Sequence, residues 1–126
     1  MQMSEFKNVN VVQYTVAKAN WEQAKKWYGE ILGWPVSWAS DEAGWIEWGR
    51  DNETHISINR WDGPEPAPAK TKGVIAVLSV DDAYKTAEWL RSKDVKCDDV
   101  VHIPGMVTYG TFYDLEGNAI QFASNG

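Results

Sequence analysis

The 126-residue sequence has one cysteine, Cys97, which rules out an internal disulfide and leaves stability to a hydrophobic core. A lone thiol fits a reducing compartment, so the cytoplasm is the expected location. Long apolar runs are absent. None approaches the roughly 18–20 residues of a membrane-crossing helix, so no membrane partner is expected. Residues Met1 to Lys7 carry no apolar stretch of the kind found in a secretory signal. Positive charge is scarce: 12 Lys and Arg stand against 18 Asp and Glu, for a formal net charge of −6. Such a surface repels phosphates, and nucleic acid is excluded as a partner. Only two histidines, His55 and His102, are available for acid–base work or metal ligation.

Tryptophan, by contrast, is abundant, with eight in a chain of this length. Trp21, Trp27 and Trp89 fall on helical patterns, while Trp34, Trp38, Trp45, Trp48 and Trp61 lie in or beside expected strands. Indoles fill cores, and they also wall pockets for flat or cationic ligands. The cluster from Trp34 to Trp61 favours one or two in a pocket wall, with Trp38, Trp45 and Trp48 as candidates.

The order of elements repeats. Asn8 to Val16 reads as a strand, and Asn20, with Gln23 three residues on, as a capping box. Trp21, Ala24, Trp27, Tyr28, Ile31 and Leu32 give one apolar helical face that ends at Gly33. Strands are expected near Val36–Ser40, Gly44–Gly49 and Thr54–Asn59, and the proline-rich stretch around 62–72 reads as a linker. The second half runs Val74–Val80 as strand, Asp82 as cap, and a helix with Ala83, Ala87, Trp89 and Leu90 inward. Strands follow near Asp98–Ile103, Val107–Tyr113 and Ala119–Ala123. A constant shift of 62 residues places Asp82 on Asn20 and Trp89 on Trp27. The expected fold is therefore α+β within a single domain, built of two βαβββ repeats (about 8–61 and 73–124) forming an eight-stranded open trough.

The segment Asp114 to Gln121 reads as a tight turn feeding the last strand. Gly117 and Asn118 tolerate positive φ, and Asp114 is placed to bond the turn backbone. It resembles the C-terminal D-P-x-G-N-x-x-E signature of the vicinal oxygen chelate superfamily, which includes glyoxalase I, extradiol dioxygenases and bleomycin-resistance proteins. Trp27-Tyr28 through Ile31-Leu32-Gly33 resembles the superfamily's helix end, and Leu78 to Asp82 the approach to its second helix. The resemblance covers essentially the whole chain and implies a homodimer.

In metal-using members, four residues hold a divalent ion, usually His or Gln, then Glu, His and Glu. The resemblance carries these positions to Gln13, Ser57, Ile75 and Gln121, and the internal repeat prefers Asn59 to Ser57. None of these is charged, and isoleucine cannot coordinate, so no metal and no other cofactor is expected. His55, two residues before Ser57, shares its strand face, and with Glu47 it is the one candidate acid–base pair. Thr15 shares the parity of Gln13, while Tyr14 points to the helix side. The face of Tyr109, Thr111 and Tyr113 is not decided by the sequence.

The expected pocket lining is thus Gln13, Thr15, Trp38, Trp45, Trp48, His55, Ser57, Asn59, Ile75, Tyr109 and Gln121. Two functions are open. One is a non-enzymatic, metal-free binding protein that sequesters an aromatic or cationic small molecule such as an antibiotic. The other is an enzyme, either a lyase or dioxygenase with non-standard metal ligands or a metal-free isomerase using His55 and Glu47.

Overall fold

The computed structural model describes residues 5, 7–66 and 74–126. The chain divides into two compact units, Met1–Ala67 and Pro68–Gly126. The expected linker falls partly outside the described residues.

The first unit runs β1 (Val11–Ala17), a 3-10 turn at Lys18–Asn20, α1 (Trp21–Leu32), β2 (Val36–Ser40), β3 (Trp45–Trp48) and β4 (His55–Trp61). Its sheet has the order β1-β4-β3-β2. β1 lies parallel to β4, and the other pairs are antiparallel. The second unit repeats this with β5 (Val77–Ser79), α2 (Ala83–Ser92), β6 (Val101–Ile103), β7 (Val107–Tyr113) and β8 (Ala119–Asn125), in the order β5-β8-β7-β6. The repeat extends to register. Thr15 pairs with Asn59 in the first sheet and Val77 with Gln121 in the second, which is the same shift of 62 residues.

Each helix covers one face of its own sheet, because apolar side chains alternate along the strands. Trp21, Ala24 and Tyr28 recur at helical spacing and are buried. The Tyr28 ring stacks at 5.8 Å on Trp48 and at 6.2 Å on Tyr14. Ile56 and Ile58 complete this layer. Burying each such side chain contributes about 1.5–3 kcal/mol. α1 ends at Gly33, whose φ of +63° lets its N–H reach the Gly29 carbonyl at 3.1 Å. In the second unit Ala87 and Leu90 of α2, Phe112 of β7, and Ile120 and Phe122 of β8 are buried. A side chain on Gly110 would run into the Phe122 ring, so glycine there permits the close packing.

Helix starts differ from expectation at one end and agree at the other. The Asp82 carboxylate accepts from Tyr84 N at 2.9 Å and Lys85 N at 3.2 Å. Asn20 makes no side-chain cap hydrogen bond, because the 3-10 turn before it leaves it at φ −102°, ψ 3° instead of extended. Trp89, expected on the inner helical face, is 42% exposed, since Ala83, Ala87 and Leu90 already fill the contact with the sheet. Strands shift by a few residues: β1 begins at Val11, β6 keeps only Val101–Ile103, and β8 runs on to Asn125. Cys97, just before the expected strand, makes an isolated bridge with Phe112. Ile75 precedes β5 and belongs to no strand.

Candidate functional site

The face of each sheet turned away from its helix carries the polar residues singled out in the sequence. In the first unit, Gln13 pairs with Ser57, and Thr15 with Asn59. Across β4, Trp45 pairs with Asn59 and Glu47 with Ser57. Strand alternation therefore sets Gln13, Thr15, Trp45, Glu47, His55, Ser57 and Asn59 on one open face. Trp38 pairs with Glu47 on the neighbouring edge strand and is 54% exposed. Trp48 is a correction. It occupies the opposite parity from Glu47, lies buried against Tyr28, and is core instead of pocket wall.

The polar groups of this face are largely occupied by each other. Gln13 Nε2 donates to Asn59 Oδ1 and, at 3.0 Å, to Thr15 Oγ1. Thr15 Oγ1 donates to the same Asn59 oxygen at 2.9 Å. His55 is held at both ring nitrogens. Nε2 lies 2.8 Å from the Arg50 carbonyl oxygen, and Nδ1 lies 2.5 Å from Glu47 Oε2. A carbonyl only accepts, so Nε2 carries hydrogen, while Nδ1 faces the Glu47 carboxylate, with Ser37 Oγ 3.3 Å away, and donates to the carboxylate when the ring is protonated. The Glu47 hydrogen bond, then the Arg50 carbonyl, hold the His55 pKa above its ordinary 6.5. Trp45 Nε1 donates to the other Glu47 oxygen at 3.2 Å. Both side chains of the pair are mostly buried, at 14% and 17% exposure. Gly49 makes this possible, since a side chain there would run into the imidazole.

Ser57 stands apart from this web. Its residue exposure is 0%, and its Oγ has no hydrogen-bond partner among the described residues. Sequence reasoning put it on the right face and missed this isolation, because burial and partners depend on neighbours far along the chain.

The second unit's open face is built differently. Thr111 pairs with Gln121, and Tyr109 with Ala123, so Tyr109, Thr111 and Tyr113 share the open face with Gln121. Gln121 Nε2 donates to Thr111 Oγ1 at 3.2 Å. Val77, Val107, Tyr109, Gln121 and Ala123 line a shallow hollow of about 280 Å³. Val77, Val101 and Ile103 around it are exposed. At the far end of β7 the Tyr113 hydroxyl donates to Asp98 Oδ2 at 2.6 Å, which raises its pKa. His102 bonds the Thr108 hydroxyl at 2.8 Å, and burial pushes the Cys97 thiol up and away from nucleophilic form.

Among the described residues no three His, Cys, Asp or Glu side chains gather where they could hold a metal ion. The family's ligand positions fit such an ion poorly by their own chemistry. Gln13, Asn59 and Gln121 offer neutral amide oxygens, Asn59 Oδ1 already accepting from Gln13 and Thr15; Ser57 offers a neutral hydroxyl, and Ile75 offers nothing. His55 has no free ring nitrogen. Among the described residues no helix is long and apolar enough to cross a membrane.

The sequence profile of the Glyoxalase/Bleomycin resistance protein/Dioxygenase superfamily matches residues 10–122, and the chain belongs to that superfamily. No curated protein sequence matches the chain. Solved structures share the fold. A glyoxalase family protein from Bacillus anthracis is 20% identical, with a TM-score of 0.76 over 99% of this chain and 100% of its own. TnmS3, an antibiotic binding protein from Streptomyces sp. CB03234, is 20% identical, with a TM-score of 0.73 over 98% of this chain and 100% of its own. A lactoylglutathione lyase from Agrobacterium tumefaciens is 8% identical, with a TM-score of 0.68 over 96% of each chain.

Proposed function

We propose that this chain is a small-molecule binding protein that works without a metal and without catalysing a reaction, sequestering a flat aromatic compound such as an antibiotic. The carrying observation is the state of its polar groups. The only histidine on the open faces has both ring nitrogens engaged by protein oxygens, so a substrate proton or a metal would have to displace Glu47 or the Arg50 carbonyl. Its carboxylate partner is likewise held, by His55 and by the Trp45 indole. What such faces offer a ligand is shape, indole and phenol surface, and a few hydrogen bonds. The similarity in fold to an antibiotic binding protein agrees with this reading. A homodimer belongs to the proposal, since the exposed Val77, Val101 and Ile103 supply apolar surface for a second copy.

Tryptophan fluorescence titration against a panel of aromatic antibiotics is expected to give saturable quenching for at least one compound. Flat responses across the panel at high micromolar concentration remove sequestration. Elemental analysis of protein purified without chelator is expected to find far less than one equivalent of zinc, nickel, manganese or iron. A stoichiometric metal would overturn the proposal in favour of an enzyme.

A further inference from the structure

We propose that the Ser57 hydroxyl anchors an uncharged ligand carrying a hydrogen-bond acceptor, on the open face of the β1–β4 sheet. The inference rests on the binding function above and narrows its ligand. A hydroxyl removed from solvent and left unbonded is destabilising, so native proteins keep few of them without a reason. Ser57 is such a group, at the centre of the sheet between Gln13 on β1 and Glu47 on β3. The two neighbouring networks leave it out. Gln13, Thr15 and Asn59 bond one another on one side, and His55, Glu47 and Trp45 bond one another on the other. Ser57 Oγ–H is therefore a buried donor that this face leaves unused.

The same geometry bears on the ligand's charge. Glu47 and His55 are the ionisable groups of this face, with Oε2 and Nδ1 2.5 Å apart. Below pH 6.5, where the raised His55 pKa keeps one proton on the pair, the pair is net neutral. A cation brought here would shed its water and meet no uncompensated carboxylate, an unfavourable exchange. A neutral ring beside the Trp45 indole, with a nitrogen or carbonyl oxygen directed at Ser57, loses little and gains one hydrogen bond.

Three probes of similar shape separate these ideas: quinoline (neutral, one acceptor), naphthalene (neutral, no acceptor) and N-methylquinolinium (cationic, no acceptor). Titrations at pH 6, where the pair keeps its proton and quinoline is still neutral, are followed by amide and indole N–H shifts of the 126-residue chain. Quinoline is expected to shift the β4 amides and the Trp45 indole, and to bind at least fivefold more tightly than either of the others. Ser57→Ala is expected to weaken quinoline about fivefold and leave naphthalene unchanged. The variant's melting temperature is expected to stay level or rise, because it deletes an unbonded hydroxyl. A clear fall in melting temperature would mean that Ser57 has a structural partner, and would overturn the proposal. So would tighter binding of N-methylquinolinium, an unchanged quinoline affinity in Ser57→Ala, or the absence of β4 shifts with all three probes. A panel antibiotic that binds Ser57→Ala undiminished and shifts β7 and β8 instead leaves the binding function standing and removes this site from it.

Discussion

The two sheets share one topology and one register, yet their open faces have taken opposite characters. On the first, Gln13, Thr15 and Asn59 bond together and a close His55–Glu47 pair bridges β4 and β3. On the second, the position matching Thr15 is Val77, which is 58% exposed, and Gln121 has only Thr111 to bond. A repeated backbone thus guarantees where side chains point and leaves their chemistry free to diverge. The polar face is cross-bonded on both sides of Ser57, whose hydroxyl stays buried and unbonded among the described residues. The apolar one is shallow and available to whatever covers it.

The comparison predicts matched cores first. Trp48→Ala and Phe122→Ala each remove a buried aromatic packed against a ring neighbour, and each is expected to lower stability by about 3–5 kcal/mol in denaturant unfolding. A much smaller loss for one of them would show that the two helix-facing layers are not equivalent. The open faces should then part company. His55→Ala leaves the Glu47 carboxylate mostly buried and short of a partner, with an expected loss of about 2–3 kcal/mol. Gln121→Ala, on the corresponding inner strand of the other sheet, should lose no more than about 1 kcal/mol. Equal losses would erase the distinction drawn here.

Acidity probes the same pair. The folded His55 pKa lies above its ordinary 6.5, so its contribution to stability is fully present below that value and fades as pH rises through the folded value. Urea midpoints measured from pH 6 to pH 9 should therefore fall in the wild type, and this component should shrink in Glu47→Gln, which leaves only the smaller contribution of the Arg50 carbonyl. A wild-type stability that rises over this range would contradict the pairing. The smallest effect is expected at Val77→Ser, within about 0.5 kcal/mol for an exposed position. A larger loss, together with a shift toward monomer in sedimentation, would mean that a second copy covers this face in solution.

Much of the fold could be read in advance, and for local reasons. Asp82 announced its cap because an aspartate before an apolar helical run has few other uses. Asp114 was recognised as a turn-former, and its carboxylate does accept from Glu116 N and from both nitrogens of Asn118. Asn20 looked like an equally good cap, and failed because a 3-10 turn, invisible in composition, set its backbone first. Trp45 and Trp48 look alike in the sequence. One residue of strand parity separates the indole on the open face from the one in the core.

By itself the sequence determined the repeat, the faces of most strands, and a set of family ligand positions without charge, because alternation and spacing are properties of a local chain. Tertiary structure alone decided what those groups do. His55 became a doubly engaged ring because Glu47, Arg50 and Gly49 converge on it from a neighbouring strand and loop. Ser57 became an isolated hydroxyl because its neighbours bond elsewhere. Protonation, burial and hydrogen-bond satisfaction depend on distances across strands, and those exist only once the chain is folded.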